Sequence, residues 1–223
     1  VKAPITLAQK GYGYMEAASS SSDLALSYAN VSGGSAPAAG DFVVWIIYAY
    51  STAGQAINDL TGSGWTQDRL YASTTICSSV LAKVASSGDI SSPATGVTAM
   101  PSYSVAMWVA YSVTGAIGTV AVNSHGCEFG NNSAPASDAL DSTSVPDDEY
   151  AVTVAVGGGT DGAIGLNWTG ATPDVTVQRS NVGGSTIDLK FGAVLSLGGA
   201  NISISKDDDG TLNSLASAYV SVT

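Results

Sequence analysis

The chain has 223 residues, 45% apolar and 11% charged, a balance that supplies a core and excludes a disordered chain. Seven Lys and Arg stand against eighteen Asp and Glu, a formal net charge of −11. That is the wrong sign for neutralising phosphates or anionic headgroups, and it argues against nucleic-acid and membrane partners.

In chain order, residues 1–23 read as an N-terminal arm or first strand region and residues 24–223 as one domain, because single β-sandwiches routinely reach roughly 200–250 residues. A short two-residue alternation at 24–28 marks a strand with one buried face. The Ser, Gly and Ala stretch at 32–40 is turn chemistry. The run Phe42–Tyr50 has no alternation, so it reads as a central strand apolar on both faces. It falls far short of the roughly 20 residues of a membrane helix, and no basic-then-apolar targeting segment opens the chain. In residues 74–84, Ile76, Val80 and Val84 fit either a helical stripe or an alternating strand; the strand is favoured. Along 104–113, Val105, Met107, Val109, Tyr111 and Val113 oppose Ala106, Trp108, Ala110 and Ser112, large against small, as packed sheets require.

Further strand patterns fall at 120–122, 150–156, 175–177, 202–204 and 219–222. The clearest is 186–197, where Ile187, Leu189, Phe191, Ala193, Leu195 and Leu197 share one face. Turn clusters lie at 130–135 and 157–162, no fixed-period repeat is visible, and no helix of convincing length emerges. The expected fold is all-β: a single antiparallel β-sandwich, jelly-roll-like.

Candidate chemistry is sparse. His125 is the sole histidine, and with Cys127 two residues on it would share a strand face without the geometry of an activated nucleophile. Cys77 and Cys127 either form one disulfide or stay as buried thiols; a core of this size needs no staple, which favours thiols. Residues 157–162 match the Gly-x-Gly-x-x-Gly fingerprint, but Gly165, Gly170 and Pro173 deny it the following helix, so a loop between strands is expected. Asp207, Asp208 and Asp209 lack the ligand spacing of a calcium loop, and a solvated hairpin turn explains them. Glu16, Glu128 and Glu149 show no pairing suited to glycoside hydrolysis. Trp65, Trp168 and Tyr103 are candidate sugar platforms, whereas Trp108 reads as core. The Asn-x-Ser/Thr sequons at Asn30, Asn131, Asn167 and Asn201 arise easily by chance in so Ser- and Thr-rich a chain. No catalytic residue, metal site or cofactor is expected, and the chain is read as a non-enzyme.

Residues 38–115 carry an ordered set of landmarks: the turn Gly40-Asp41 leading into Phe42–Tyr50, then Gly64-Trp65-Thr66, the strand end at 81–85, the turn Gly88-Asp89, and residues 107–113 closing on Gly115. In order and spacing this resembles a recurrent β-sandwich module of bacteriophage virion proteins, found in capsid decoration and in tail and fibre proteins. The resemblance implies fold and virion membership, and it brings no catalytic residues.

The expectation is a capsid decoration or cement protein on the outer surface of the capsid, bridging and stabilising major capsid protein subunits. Its partners would be that protein and copies of itself in a cyclic homo-oligomer such as a trimer. Acidity suits a surface away from packaged DNA, and the repeated shaft segments of receptor-binding fibres are not seen. Expected contact residues are Tyr12, Tyr14, Trp65 and Trp168, taken as exposed aromatics of the arm and loops. The alternative is a tail or fibre module binding host-surface glycans. A secreted lectin-like or glycan-degrading enzyme is a third reading, needing paired carboxylates and favoured by a Cys77–Cys127 bond.

Overall fold

The structure is a computed structural model. It describes residues 5–17, 22–50, 57–71, 76–98, 103–130, 137–141, 145–160, 164–182, 187–206 and 213–223, with the backbone alone described at 70, 71, 76, 124–130, 137–141 and 213.

Two antiparallel sheets face each other across the main core. Strands β1 (Thr6–Glu16), β3 (Val31–Gly34), β4 (Phe42–Tyr50), β5 (Thr66–Tyr71), β6 (Ile76–Val84) and β8 (Tyr103–Thr114) form the first, in the order β3-β1-β8-β4-β6-β5. Strands β9 (Val120–Gly130), β11 (Tyr150–Gly159), β13 (Val175–Arg179), β14 (Asp188–Leu197) and β16 (Asn213–Val222) form the second, in the order β13-β14-β11-β16-β9. The protein is therefore an all-β sandwich, as the alternation requires. Each sheet comes from one half of the chain.

Side-chain parity explains the layers. Val44, Ile46 and Tyr48 of β4 and Val105, Met107 and Val109 of β8 point inward, where they meet Val152, Val154 and Val156 of β11 and Ala216, Ala218 and Val220 of β16. The other face of β4 is also buried. Val43, Trp45 and Ile47 join Ala106 and Trp108 beneath a cover made by Leu24, Leu26, Tyr28, Ile57, Leu60 and Trp65. That cover includes the short pair β2 (Leu24–Ala25) and β7 (Thr95–Val97). Coverage on both sides is why β4 reads as unbroken apolar sequence. A three-stranded sheet, β10 (Ser137–Asp141), β15 (Asn201–Lys206) and β12 (Leu166–Thr169) in the order β10-β15-β12, covers the outer face of the second sheet.

Several expectations are corrected. Residues 157–159, read as part of a loop, continue β11: all three pair with β14, and Gly157 and Gly158 pair with β16 as well. At Gly158 and Gly159 neighbours crowd the strand. A Cβ at Gly159 would lie 3.0 Å from Ile164 Cδ1 and 3.2 Å from Lys206 Nζ, and one at Gly158 would lie 2.8 Å from Ser214 Oγ. Within the supposed turn 32–40, Val31–Gly34 is an edge strand on β1, while the 24–28 pattern pairs only at Leu24–Ala25. The turn Gly88-Asp89 sits inside a single helical turn, α1 (Ser87–Ser91), capped by Ser86. Leu197, assigned to the core face, is 62% exposed, because it ends β14 beyond Leu195, the last residue of that strand packed on the core.

Candidate functional site

The residues expected to contact partners fall in four different settings. Tyr12 and Tyr14 belong to β1, and both are half-buried against the main core. A bulge between Gln9 and Gly11 inserts Lys10 as an extra residue. One extra residue flips strand parity, which is how Leu7 before it and Tyr12 and Tyr14 after it reach the same core. Opposite them, Gly11 and Gly13 lie so close to the neighbouring segment that a Cβ would collide with the backbone of Ser35 or Asn30.

Tyr14 joins the two sheets. The Arg179 guanidinium of β13 lies 4.0 Å above its ring, and Arg179 Nη2 donates to Glu16 Oε2 at 2.7 Å. Glu16 is thus committed to this clasp. Trp65 is only 4% exposed, which corrects its reading as an exposed contact in a Gly-rich loop. It lies beneath Lys83, whose Nζ is 5.0 Å from the ring centre. Trp168 sits in β12, half-buried, with its ring across Gly192 of β14; a Cβ there would lie 2.7 Å from the indole. Tyr103, a candidate platform, is 4% exposed and stacked on Tyr50 with ring centres 5.3 Å apart.

The landmarks of residues 38–115 meet around the first sheet. Asp41 accepts from Lys10 Nζ and from the Ala38 amide, each at 2.6 Å, and its backbone carbonyl accepts from the Ala85 amide at 2.8 Å. Gly64, at φ 79°, ends the 3-10 turn Thr61–Ser63 in the left-handed region that favours glycine and delivers Trp65 to the cover layer. Lys83 binds the Ser63 carbonyl at 3.0 Å and Asp89 Oδ1 at 2.9 Å, while Asp89 Oδ2 accepts from the Ser86 amide and hydroxyl, each at 2.7 Å. Burial pushes the Asp89 carboxyl up, but the bonds from Lys83 and Ser86 outweigh it and hold it below the usual carboxylate range. Burial raises the Tyr28 phenol to about 12 against the lowering hydrogen bond from Trp45.

The remaining sequence candidates do not assemble into one centre. His125, Cys127 and Glu128 lie in β9 with only their backbone described. Cys77 is buried in β6, its Sγ 3.9 Å from the Ala49 carbonyl oxygen. Residues 207–209 and 161–162 lie outside the described residues. Among the described residues no three His, Cys, Asp or Glu side chains gather as metal ligands.

Sequence reasoning missed one surface feature. A groove of about 360 Å³ lies beside β5, lined by Asp59, Thr61, Gln67, Asp68 and Arg69. Gln67 fixes one wall: its Oε1 accepts from the Leu60 amide at 2.7 Å, and its Nε2 donates to the Asn58 carbonyl at 2.9 Å and to Ser79 Oγ at 3.0 Å. Asp59 Oδ1 accepts from the Thr61 hydroxyl and amide, which hold its carboxyl below the usual range. The only sequence signal was a run of polar residues after Gly64-Trp65, indistinguishable from any solvated strand edge. No family model matches the chain, and no curated protein or solved structure is detectably similar to it.

Proposed function

We propose that this protein is a structural component of a bacteriophage virion, a capsid decoration protein that bridges neighbouring major capsid protein subunits. The observation supporting this reading is the convergence of the 38–115 landmarks. The Gly40-Asp41 turn, β4, Trp65, Lys83, Asp89 and β8 are tied to one another around a single sheet, so the resemblance covers a physical unit. The role requires no chemistry: each contact made only in the assembled shell adds binding free energy that the separate subunits lack, stabilising the lattice by mass action. A net charge of −11 suits an outer surface away from packaged DNA.

The alternative, a glycan-binding tail module, relied on Trp65, Trp168 and Tyr103 as an outward platform. Burial of Trp65 and Tyr103 leaves that platform with Trp168 alone. Cryo-electron microscopy of purified virions tests the proposal through copy number. Many copies in an icosahedral array are expected, and a few copies confined to the tail would overturn the capsid assignment.

A further inference from the structure

The groove beside β5 holds polar groups that the fold does not use. Its walls are fixed by Gln67 and by the Asp59–Thr61 turn, yet three groups remain available. The Asp68 carboxylate has no hydrogen-bond or ion-pair partner among the described residues, and Asp59 Oδ2 accepts no bond from them. Arg69 makes one long contact, from Nη1 to the Ile57 carbonyl at 3.5 Å. Of the other described cations, Lys10, Lys83 and Arg179 are committed to ion pairs, Lys190 is half-buried on β14 in the second sheet, and Lys206 is fully buried.

We propose that this groove is a saccharide subsite, holding a neutral sugar by its hydroxyl groups. The charges select the ligand. Two carboxylates and one guanidinium leave the groove net negative, so phosphate, sulfate and nucleic-acid backbones are repelled. A divalent cation would find two carboxylates opposed by a guanidinium, too few oxygens for the six to eight that calcium takes. A neutral polyol suffers neither penalty. Its hydroxyls donate to Asp59 Oδ2 and Asp68, and the planar Arg69 fork donates to its oxygens, giving charge-assisted bonds of about twice the ordinary strength. The volume of about 360 Å³ lies at the small end of the range for ligand sites. With no aromatic wall, affinity rests on hydrogen bonds exchanged with water and is weak. This inference stands apart from where the protein sits on the particle.

The test is an amide chemical-shift titration of the whole chain with glucose, galactose, mannose, N-acetylglucosamine and rhamnose in turn. Saturable shifts are expected for at least one sugar at amides 58–61 and 66–69. Arg69→Ala and Asp68→Asn should each weaken that binding about tenfold, with the rest of the spectrum unchanged. Absence of saturable shifts with every sugar overturns the inference, as does unchanged affinity in both variants. Parallel titrations with inorganic phosphate and calcium should give no saturable shift at these amides; binding of either ion there in place of sugars would make it an ion site and overturn the inference too.

Discussion

Lys83 shows how much structure one side chain can organise. Its ammonium spans Trp65, the Ser63 carbonyl and Asp89, tying the 3-10 turn, β6 and α1 together. Both partners of the Lys83–Asp89 pair are only 14% exposed, so the pair escapes most of the screening that makes surface ion pairs nearly worthless. Replacing Lys83 with Met should cost about 1–2 kcal/mol, and a double-mutant cycle with Asp89→Asn should show coupling between the two. The pH dependence has a definite sign. Because the folded state holds Asp89 below its usual range, its contribution is complete above the ordinary carboxylate pKa and is lost as pH falls through the depressed folded value. Denaturant melts at a series of acidic pH values should therefore show a shallower loss of stability in Asp89→Asn than in the parent. Equal slopes would mean that Asp89 plays no part in acid unfolding.

At the scale of elements, glycine separates what the sequence shows from what it conceals. The apolar run of β4 and the large-against-small alternation of β8 were readable because their burial is written in side-chain type. The strand character of residues 157–159 was not, since three successive glycines read as a turn, and glycine at 158 and 159 answers to Ser214, Ile164 and Lys206, whose proximity no local pattern shows. The bulge at Lys10 was equally hidden, and it decides that Tyr12 and Tyr14 face the core. The groove escaped for a related reason: Asp59 and Arg69 meet only because the turn at Thr61–Ser63 folds back along β5. Two glycines make opposite predictions. At Gly13 a Cβ would lie well inside contact distance of the Asn30 carbonyl oxygen, whereas at Gly157 its nearest neighbours are at an ordinary 3.5 Å. Gly13→Ala should cost about 3 kcal/mol or more. Gly157→Ala should be neutral or add about 0.5–1 kcal/mol, through the smaller entropy loss of alanine in a strand. Thermal denaturation of the two variants compares them directly, and equal melting temperatures would contradict the packing argument.

Over the whole molecule, the division of labour between chain halves governs stability. Residues up to Thr114 build one sheet, residues from Val120 build the other, and the main core exists only where the two meet. The Tyr14–Arg179–Glu16 clasp ties β1 to β13 across that junction. Neither half can bury its inner face alone, so fragments 5–114 and 115–223 should each lack cooperative unfolding and bind hydrophobic dyes. Mixing them during refolding should restore a cooperative transition, and a fragment that melts cooperatively by itself would contradict the shared core.

The same division sets an order in time during synthesis. Every strand of the six-stranded sheet is made before β9 leaves the ribosome, so the nascent chain carries that sheet's inner apolar face for as long as the second half takes to emerge. At roughly 5–20 residues per second that interval lasts several seconds, long enough for the uncovered face to meet another nascent chain. The yield of native protein should thus depend on how quickly the second half follows the first.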